Sequence, residues 1–445
     1  MNRIGDLGFL IGIFIIGYVF DTIDFVELKE LFVSGKGFAH ATLLGIAALA
    51  LFIAATGKSA QLPLYTWLPD AMAGPTPVSA LIHAATMVTA GIFMITRLDF
   101  LYEIAPQVST LIAYVGGITA FFAATIATVQ NDIKKVLAYS TVSQLGLMFL
   151  ALGLGAYQVA VFHVITHAFF KACLFLGSGS VIHAMGGEQD IRNMGGLKSY
   201  MKTTHITFLI ATLAISGVPP LAGFFSKDEI LVAAFHENMF LWILAAVASI
   251  LTAYYMFRLY FLTFHGSFRG TQHQKEHLHE SPSLITIPLV VLAILSAVGG
   301  LISLPGENSW LHSYLAPVLF KKVPVHHLDN SSLILMGLAI FGALIGIGIA
   351  YAKFMKKQEI PVSDEKMIGF TSFVYDKYKV DELYELVIVK PILAFSSFGK
   401  KYIEPGISNM LFGLVNVTNT LAVEGKKLQN GNIGFYLFAF VFGLC

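Results

Sequence analysis

Lys171 stands in His163-Val-Ile-Thr-His167-Ala-Phe-Phe-Lys171, a segment whose flanks stay apolar for more than two turns either way. Spacings of four put His163, His167 and Lys171 on one stripe of one helix. Three more titratable residues sit in similar settings. Lys58 closes an apolar run in Thr56-Gly-Lys-Ser-Ala-Gln-Leu-Pro63, Lys227 follows Gly223-Phe-Phe-Ser226, and His83 lies in Ser79-Ala-Leu-Ile-His-Ala-Ala-Thr86. A charge at mid-bilayer costs about 2.5–3.5 kcal/mol, so each is a functional candidate by default. Burial favours the neutral amine and can bring a lysine toward neutral pH, where histidine already titrates. Such groups, bridged by water, pass protons sideways, and the charge on one biases the next. The chemistry implied is proton translocation.

Each residue also has a plainer reading. Lys58 and Lys227 can snorkel to headgroups from helix ends, and a buried His83 can be satisfied by a neighbouring carbonyl. His163 and His167 form an HxxxH pair, but no further ligand follows nearby, so no metal is expected there. His273, His277 and His279 read as a solvated loop. No GxGxxG, P-loop or Ser–His–Asp spacing stands out. Two cysteines, Cys173 and Cys445, exclude a disulfide framework and a Cys-based zinc or iron–sulfur site.

The elements that position these residues must lie in a membrane. Of 445 residues, 56% are hydrophobic and only 12% charged, about half the charge of a soluble protein; mean hydropathy is +0.73. A net charge of +1 gives no footprint for nucleic acid. The chain reads as an all-α polytopic membrane protein of about ten or eleven spans, at 4–20, 38–57, 76–97, 108–129, 136–153, 156–184, 203–237, 239–264, 284–304 and 331–354. No cleavage pattern marks the first run as a signal peptide. The run from Ile433 to Cys445 is too short to span, which suggests a truncated sequence. Loop lysines and arginines number about eleven on the side of Arg3 and about five on the other, among them Lys321 and Lys322, placing Arg3 and the segment after Lys353 inside.

Two spans are interrupted. The second runs into Gln61-Leu-Pro63, Trp67-Leu-Pro69 and Gly74-Pro-Thr-Pro77, and the seventh carries Ser216-Gly-Val-Pro-Pro-Leu-Ala-Gly223. Proline removes a donor and clashes with the preceding turn, so both are expected to be broken helices lining a cavity, as in transporters built from repeats. From Ser363 to Lys427 charges return, and amphipathic stretches interrupted by Pro391 and Pro405 suggest a helix lying along the membrane surface.

The run from Gly57-Lys-Ser-Ala-Gln-Leu-Pro to His-Ala-Ala-Thr-Met-Val88 resembles the signature of the antiporter-like membrane subunits of respiratory complex I, NADH:quinone oxidoreductase. Asn131-Asp-Ile-Lys-Lys to Gln-Leu-Gly146, the His163–Lys171 segment and Ser216 to Lys227 extend the likeness. Val380-Asp-Glu-Leu-Tyr384 and the surface segment after it resemble the branch called subunit L or chain 5, which sends a lateral helix along the membrane arm. The resemblance implies an inverted-repeat bundle: the remainder of a first repeat at 1–105 with its broken helix at 38–70, a second repeat at 106–265 with its broken helix at 203–237, further spans at 266–362, the lateral helix at 363–430 and the start of a last span at 431–445.

It further implies roles. Lys58 becomes the lysine of a first half-channel and His83 its connection; His163, His167 and Lys171 become a hydrated central axis; Lys227 becomes the exit-side residue. Lys134 and Lys135, read as loop residues, have a structural or proton-admitting role, and Asp228 and Glu229 line the exit. Family members carry, on a helix preceding 4–20, a glutamate paired with the lysine at position 58. That helix is missing here, which implies a fragment or a split subunit.

The expected function is proton translocation in the membrane arm, with NADH, FMN, iron–sulfur clusters and quinone bound by partner subunits and no cofactor or metal in this chain. Expected partners are other membrane-arm subunits, including antiporter-like neighbours reached by the lateral helix, and the lipid bilayer, with no nucleic acid. The bacterial inner membrane is the expected site, before a mitochondrial or chloroplast one. Two alternatives stand beside this reading: a large subunit of an Mrp-type cation/proton antiporter, and a structural brace with an idle channel.

Overall fold

In a bilayer every backbone N–H and C=O must find a partner inside the chain, and the apolar runs accordingly become helices. The computed structural model describes residues 1–304, 309–320, 330–364 and 367–445. In order come α1 (Asn2–Phe20), α2 (Phe25–Val33), α3 (Ala41–Lys58), α4 (Thr76–Ala84), α5 (Ala90–Arg97), α6 (Pro106–Val129), α7 (Ile133–Gly153), α8 (Tyr157–Ala184), α9 (Lys202–Ile215), α10 (Ala222–Glu237), α11 (Met239–Phe264), α12 (Ser283–Val298) and α13 (Asn330–Ala350), with short helices between them. Among the described residues nine helices are long and apolar enough to cross a membrane. Within the expected 203–237, α9 is a shorter apolar helix and α10 follows it after a break.

Residues Met1–Asp376 form one compact unit. At its centre stands α7, buried along nearly its whole length. Association in lipid rests on close packing rather than on the hydrophobic effect, and small residues permit it. Gly8 shows the consequence: a Cβ there would lie 2.6 Å from the Ala50 carbonyl oxygen, so only glycine lets α1 lie directly on α3.

Connections gather at two ends. At one end Arg258 donates to Gln130 O and Asn131 Oδ1, both at 2.6 Å. Arg192 chelates Asp190 and reaches Asp364 at 2.7 Å, and Gln130 holds Tyr375 O at 3.0 Å. Burial alone would raise the Asp364 carboxyl, but hydrogen bonds from Arg192 and Tyr375 hold it below the usual carboxylate range. At the other end Lys29 donates to Pro317 O and Leu319 O, and Asp99 accepts Phe320 N. Lys321 and Lys322 lie outside the described residues.

Both expected breaks are present. After α3 the chain leaves the helix, and Leu62 N donates to Thr119 Oγ1. Thr119 lies near the middle of α6, and the stretch is partly covered, with Ser59, Ala60 and Gln61 buried, Leu62 half-buried and Pro63 exposed. After α9 a turn at 216–221 leads into α10. A third break was not expected. The run 76–97, read as one span, is interrupted between α4 and α5, at Ala85–Thr89. No proline marks it; hydroxyls take up the freed carbonyls instead. Thr86 Oγ1 donates to Leu81 O at 2.7 Å and Thr89 Oγ1 to Ala85 O at 2.8 Å.

The second unit, Lys377–Cys445, is a helical run over 380–426 followed by Ile433–Leu444. Pro391 and Pro405 do not interrupt it. Each follows a π-helical turn, Glu385–Val389 and Gly399–Ile403. The wider turn shifts hydrogen bonding by one residue, past the position where proline offers no donor. At 1.5 Å per residue the run reaches about 70 Å.

Candidate functional site

The stripe on α8 is completely enclosed: His163, His167 and Lys171 are each 0% exposed. Lys171 Nζ donates to Leu137 O at 2.9 Å and to Ser140 Oγ, both on α7. Leu137 O also accepts from Ser140 and Thr141 hydroxyls, so this one carbonyl serves three donors. One turn back, His167 Nδ1 lies 3.0 Å from Ala84 O. A carbonyl only accepts, which assigns the proton to Nδ1 and leaves Nε2 basic; Nε2 has no hydrogen-bond partner among the described residues. Ala84 O is free to accept because α4 ends there. The unexpected break thus supplies a contact to the stripe.

One more turn back, His163 lies between two polar side chains, Gln144 Oε1 at 3.2 Å from Nε2 and Ser226 Oγ at 2.9 Å from Nδ1. With Nε2–H donating to the amide oxygen, Nδ1 accepts from the serine hydroxyl. Ser226 also meets Thr166 Oγ1 at 2.8 Å. It belongs to α10 and is followed directly by Lys227, so the hydroxyl joins the stripe to the second broken helix. His163 and His167 have ring centres 6.3 Å apart, a gap one water can bridge.

Lys227 donates to Ile215 O at 2.7 Å, the last carbonyl of α9. Its ammonium therefore sits where the broken helix directs its negative dipole end. Gly223 makes the approach possible, since a Cβ there would stand 2.1 Å from Ala214 O. Beside Lys227 and Asp228 is a cavity of about 20 Å³, also lined by Ser216 and Ser249, enough for about one water. Asp228 Oδ1 and Glu229 Oε2 are buried without hydrogen-bond partners among the described residues.

His83 is 0% exposed and neither ring nitrogen has a hydrogen-bond partner among the described residues. Its ring centre lies 4.8 Å from that of Phe175, a ring that Lys171 Nζ also approaches, at 5.8 Å from its centre. Lys58 stands apart from this group. Its Nζ lies 3.3 Å from Asp6 Oδ1, with both side chains more than one-third exposed. The pair lies on an apolar groove of about 510 Å³ between α1, α3 and α5. The sequence reading left Lys58 without a carboxylate in this chain; Asp6 is one. The signal was a lone acid one turn into an apolar run, between Gly5 and Gly8.

Lys134 and Lys135 are helical, not loop residues, because Asp132 caps α7 through both of their backbone N–H groups. Lys134 is buried and fastens the segment before α4 by donating to Met72 O at 2.5 Å and Gly74 O at 2.9 Å. Lys135 is exposed. In the histidine loop, His277 Nδ1 and His279 Nδ1 lie within hydrogen-bond distance of backbone carbonyls. Sequence reasoning also missed Ser226, Gln144, Thr166 and Ser140, the polar groups between the titratable ones; their types are common in helices and only the packing selects them.

Residues 1–252 match the family described as NADH:quinone oxidoreductase/Mrp antiporter, TM. Over 99% of its length the chain is 44% identical to NADH-quinone oxidoreductase subunit L of Rickettsia bellii and 42% identical to NAD(P)H-quinone oxidoreductase chain 5 of a Picosynechococcus strain, covering 71% of each relative. Among solved structures, an Mrp complex from a Dietzia species superposes with a TM-score of 0.69 at 26% identity, over 95% of this chain and 46% of that one.

Proposed function

The chain belongs to the NADH:quinone oxidoreductase/Mrp antiporter membrane family, in its subunit L/chain 5 branch, and we propose that it relays protons through the membrane arm of an NADH:quinone oxidoreductase. The observation that carries this reading is the bridge from the α8 stripe to α10, His163 to Ser226 at 2.9 Å, with Lys227 next in the chain.

Each group has a part in such a relay. Lys171, held by Leu137 O and Ser140 Oγ, gives a proton through water to the unpartnered Nε2 of His167. His167 passes one to His163 across the gap between their rings. His163 gains it at Nδ1 as Ser226 turns its hydroxyl, and the adjoining cavity lets a water carry it on to Lys227 and Asp228. Lys58, with Asp6, is a second store of charge in this reading, and His83 is its connection to the stripe. A proton arriving at Lys171 raises the cost of charging its neighbours, the physical means of coupling to a distant event. Oxidation of NADH, with its flavin, iron–sulfur clusters and quinone, falls in this reading to partner subunits. The helix 380–426 reaches neighbours in the membrane arm, and the complex lies in a bacterial inner membrane.

The likeness to the Mrp complex favours a second reading, a cation/proton antiporter subunit with the same lysines. NADH-driven proton uptake into inverted vesicles, with and without sodium, separates the two. Uptake undiminished without sodium supports the relay; a sodium requirement, with transport independent of NADH, contradicts it and favours the antiporter.

A further inference from the structure

A second concave site lies where α9 begins and α11 ends, away from the relay. It is an open pocket of about 580 Å³ lined by Lys198, Ser199, Lys202, His205, Ile206, Phe264 and His265, with glycines at its rim. Both helix ends belong to segments that enter the membrane, so the pocket sits at the boundary between apolar and aqueous surroundings, on the side with more loop lysines and arginines. Its chemistry is divided. Lys198 and Lys202 are exposed and take part in none of the ion pairs among the described residues. Ile206 is 54% exposed beside them. The Glu280 carboxylate is engaged with the start of α9 and forms no ion pair with them among the described residues. It accepts Thr203 N at 2.7 Å, Thr204 N at 3.2 Å and Thr204 Oγ1 at 2.6 Å.

The floor is polar and fixed. His205 is buried, its Nε2 2.6 Å from the Tyr260 hydroxyl, and its ring centre lies 5.8 Å from that of His265. Burial, and then the Lys198 ammonium, lower the proton affinity of His265. The two ammonium groups thus stand in a concave site, in no ion pair among the described residues, beside exposed aliphatic surface.

We propose that this pocket binds the phosphate of an anionic phospholipid, with Lys198 and Lys202 on the headgroup and Ile206 against the acyl chain. Basic pockets between spans on the positively charged side take such headgroups. The test is native mass spectrometry of the full chain, delipidated in detergent and titrated with phosphatidylglycerol or phosphatidylcholine. Phosphatidylglycerol is expected to bind in preference. Lys198→Gln with Lys202→Gln, two exposed positions whose change leaves the fold intact, is expected to weaken it about fivefold per lysine and about 25-fold together. Lys353→Gln with Lys356→Gln, outside the pocket, is expected to leave binding unchanged. Equal binding of the two lipids, an unaffected pocket variant, or equal loss in the outside variant overturns the proposal. Displacement of phosphatidylglycerol by equimolar inorganic phosphate assigns the site to free phosphate and also overturns it.

Discussion

Ser226→Ala is the smallest change that tests the connection between α8 and α10. It removes one oxygen, and with it the partners of His163 Nδ1 at 2.9 Å and of Thr166 Oγ1 at 2.8 Å. Thr166 keeps its bond to His163 O at 3.2 Å, so one buried acceptor, His163 Nδ1, is left unpaired. That costs about 1–3 kcal/mol. If the same amount enters the barrier for proton transfer, the step slows by about 5- to 150-fold. The assay is NADH-driven proton uptake in inverted vesicles, normalised to assembled complex and set beside the thermal midpoint. Ser226→Ala is expected to lose both stability and uptake. Ser226→Thr, which keeps the hydroxyl, is expected to recover uptake. Wild-type uptake in Ser226→Ala refutes the bridge, because the hydroxyl would then be only a packing group.

Two further outcomes follow from particular contacts. Asp6→Asn removes the carboxylate 3.3 Å from Lys58; with both side chains more than one-third exposed, stability falls by less than about 1 kcal/mol, while protons moved per NADH fall, and an unchanged ratio contradicts a role for the pair. Because Asp364 is held below its ordinary value by hydrogen bonds from Arg192 and Tyr375 that outweigh its partial desolvation, its contribution is complete above the unfolded value of about 3.9 and disappears as pH drops through the folded one. Asp364→Asn is expected to flatten the acid limb of thermal stability below about pH 4, and an acid limb of equal slope in both proteins contradicts the sign.

Much of this was legible because membranes impose simple rules. A run such as 108–129 has one solution in lipid, and prolines at 63 and 219–220 announce breaks because proline removes a helix donor. Spacing of four was enough to place His163, His167 and Lys171 on one stripe. What escaped lacked a local signature. The break after Ala84 has threonines where a proline was expected. The start of α7 moved because Asp132 caps it, and the prolines of 380–426 are carried by π turns that no composition reveals. Asp6 was read as part of a span, and only the glycine contact between α1 and α3 brings it to Lys58. Ser226 and Gln144 are ordinary residues until packing places them on either side of His163.

The most direct measurement is the number of protons moved per NADH oxidised by complex assembled with Lys171→Met. The side chain is 0% exposed and Leu137 O retains two hydroxyl donors, so a methionine of similar volume is expected to fit at a cost below about 1.5 kcal/mol. The account predicts normal assembly with a lowered ratio. An unchanged ratio in fully assembled complex contradicts the relay and leaves this chain as a brace.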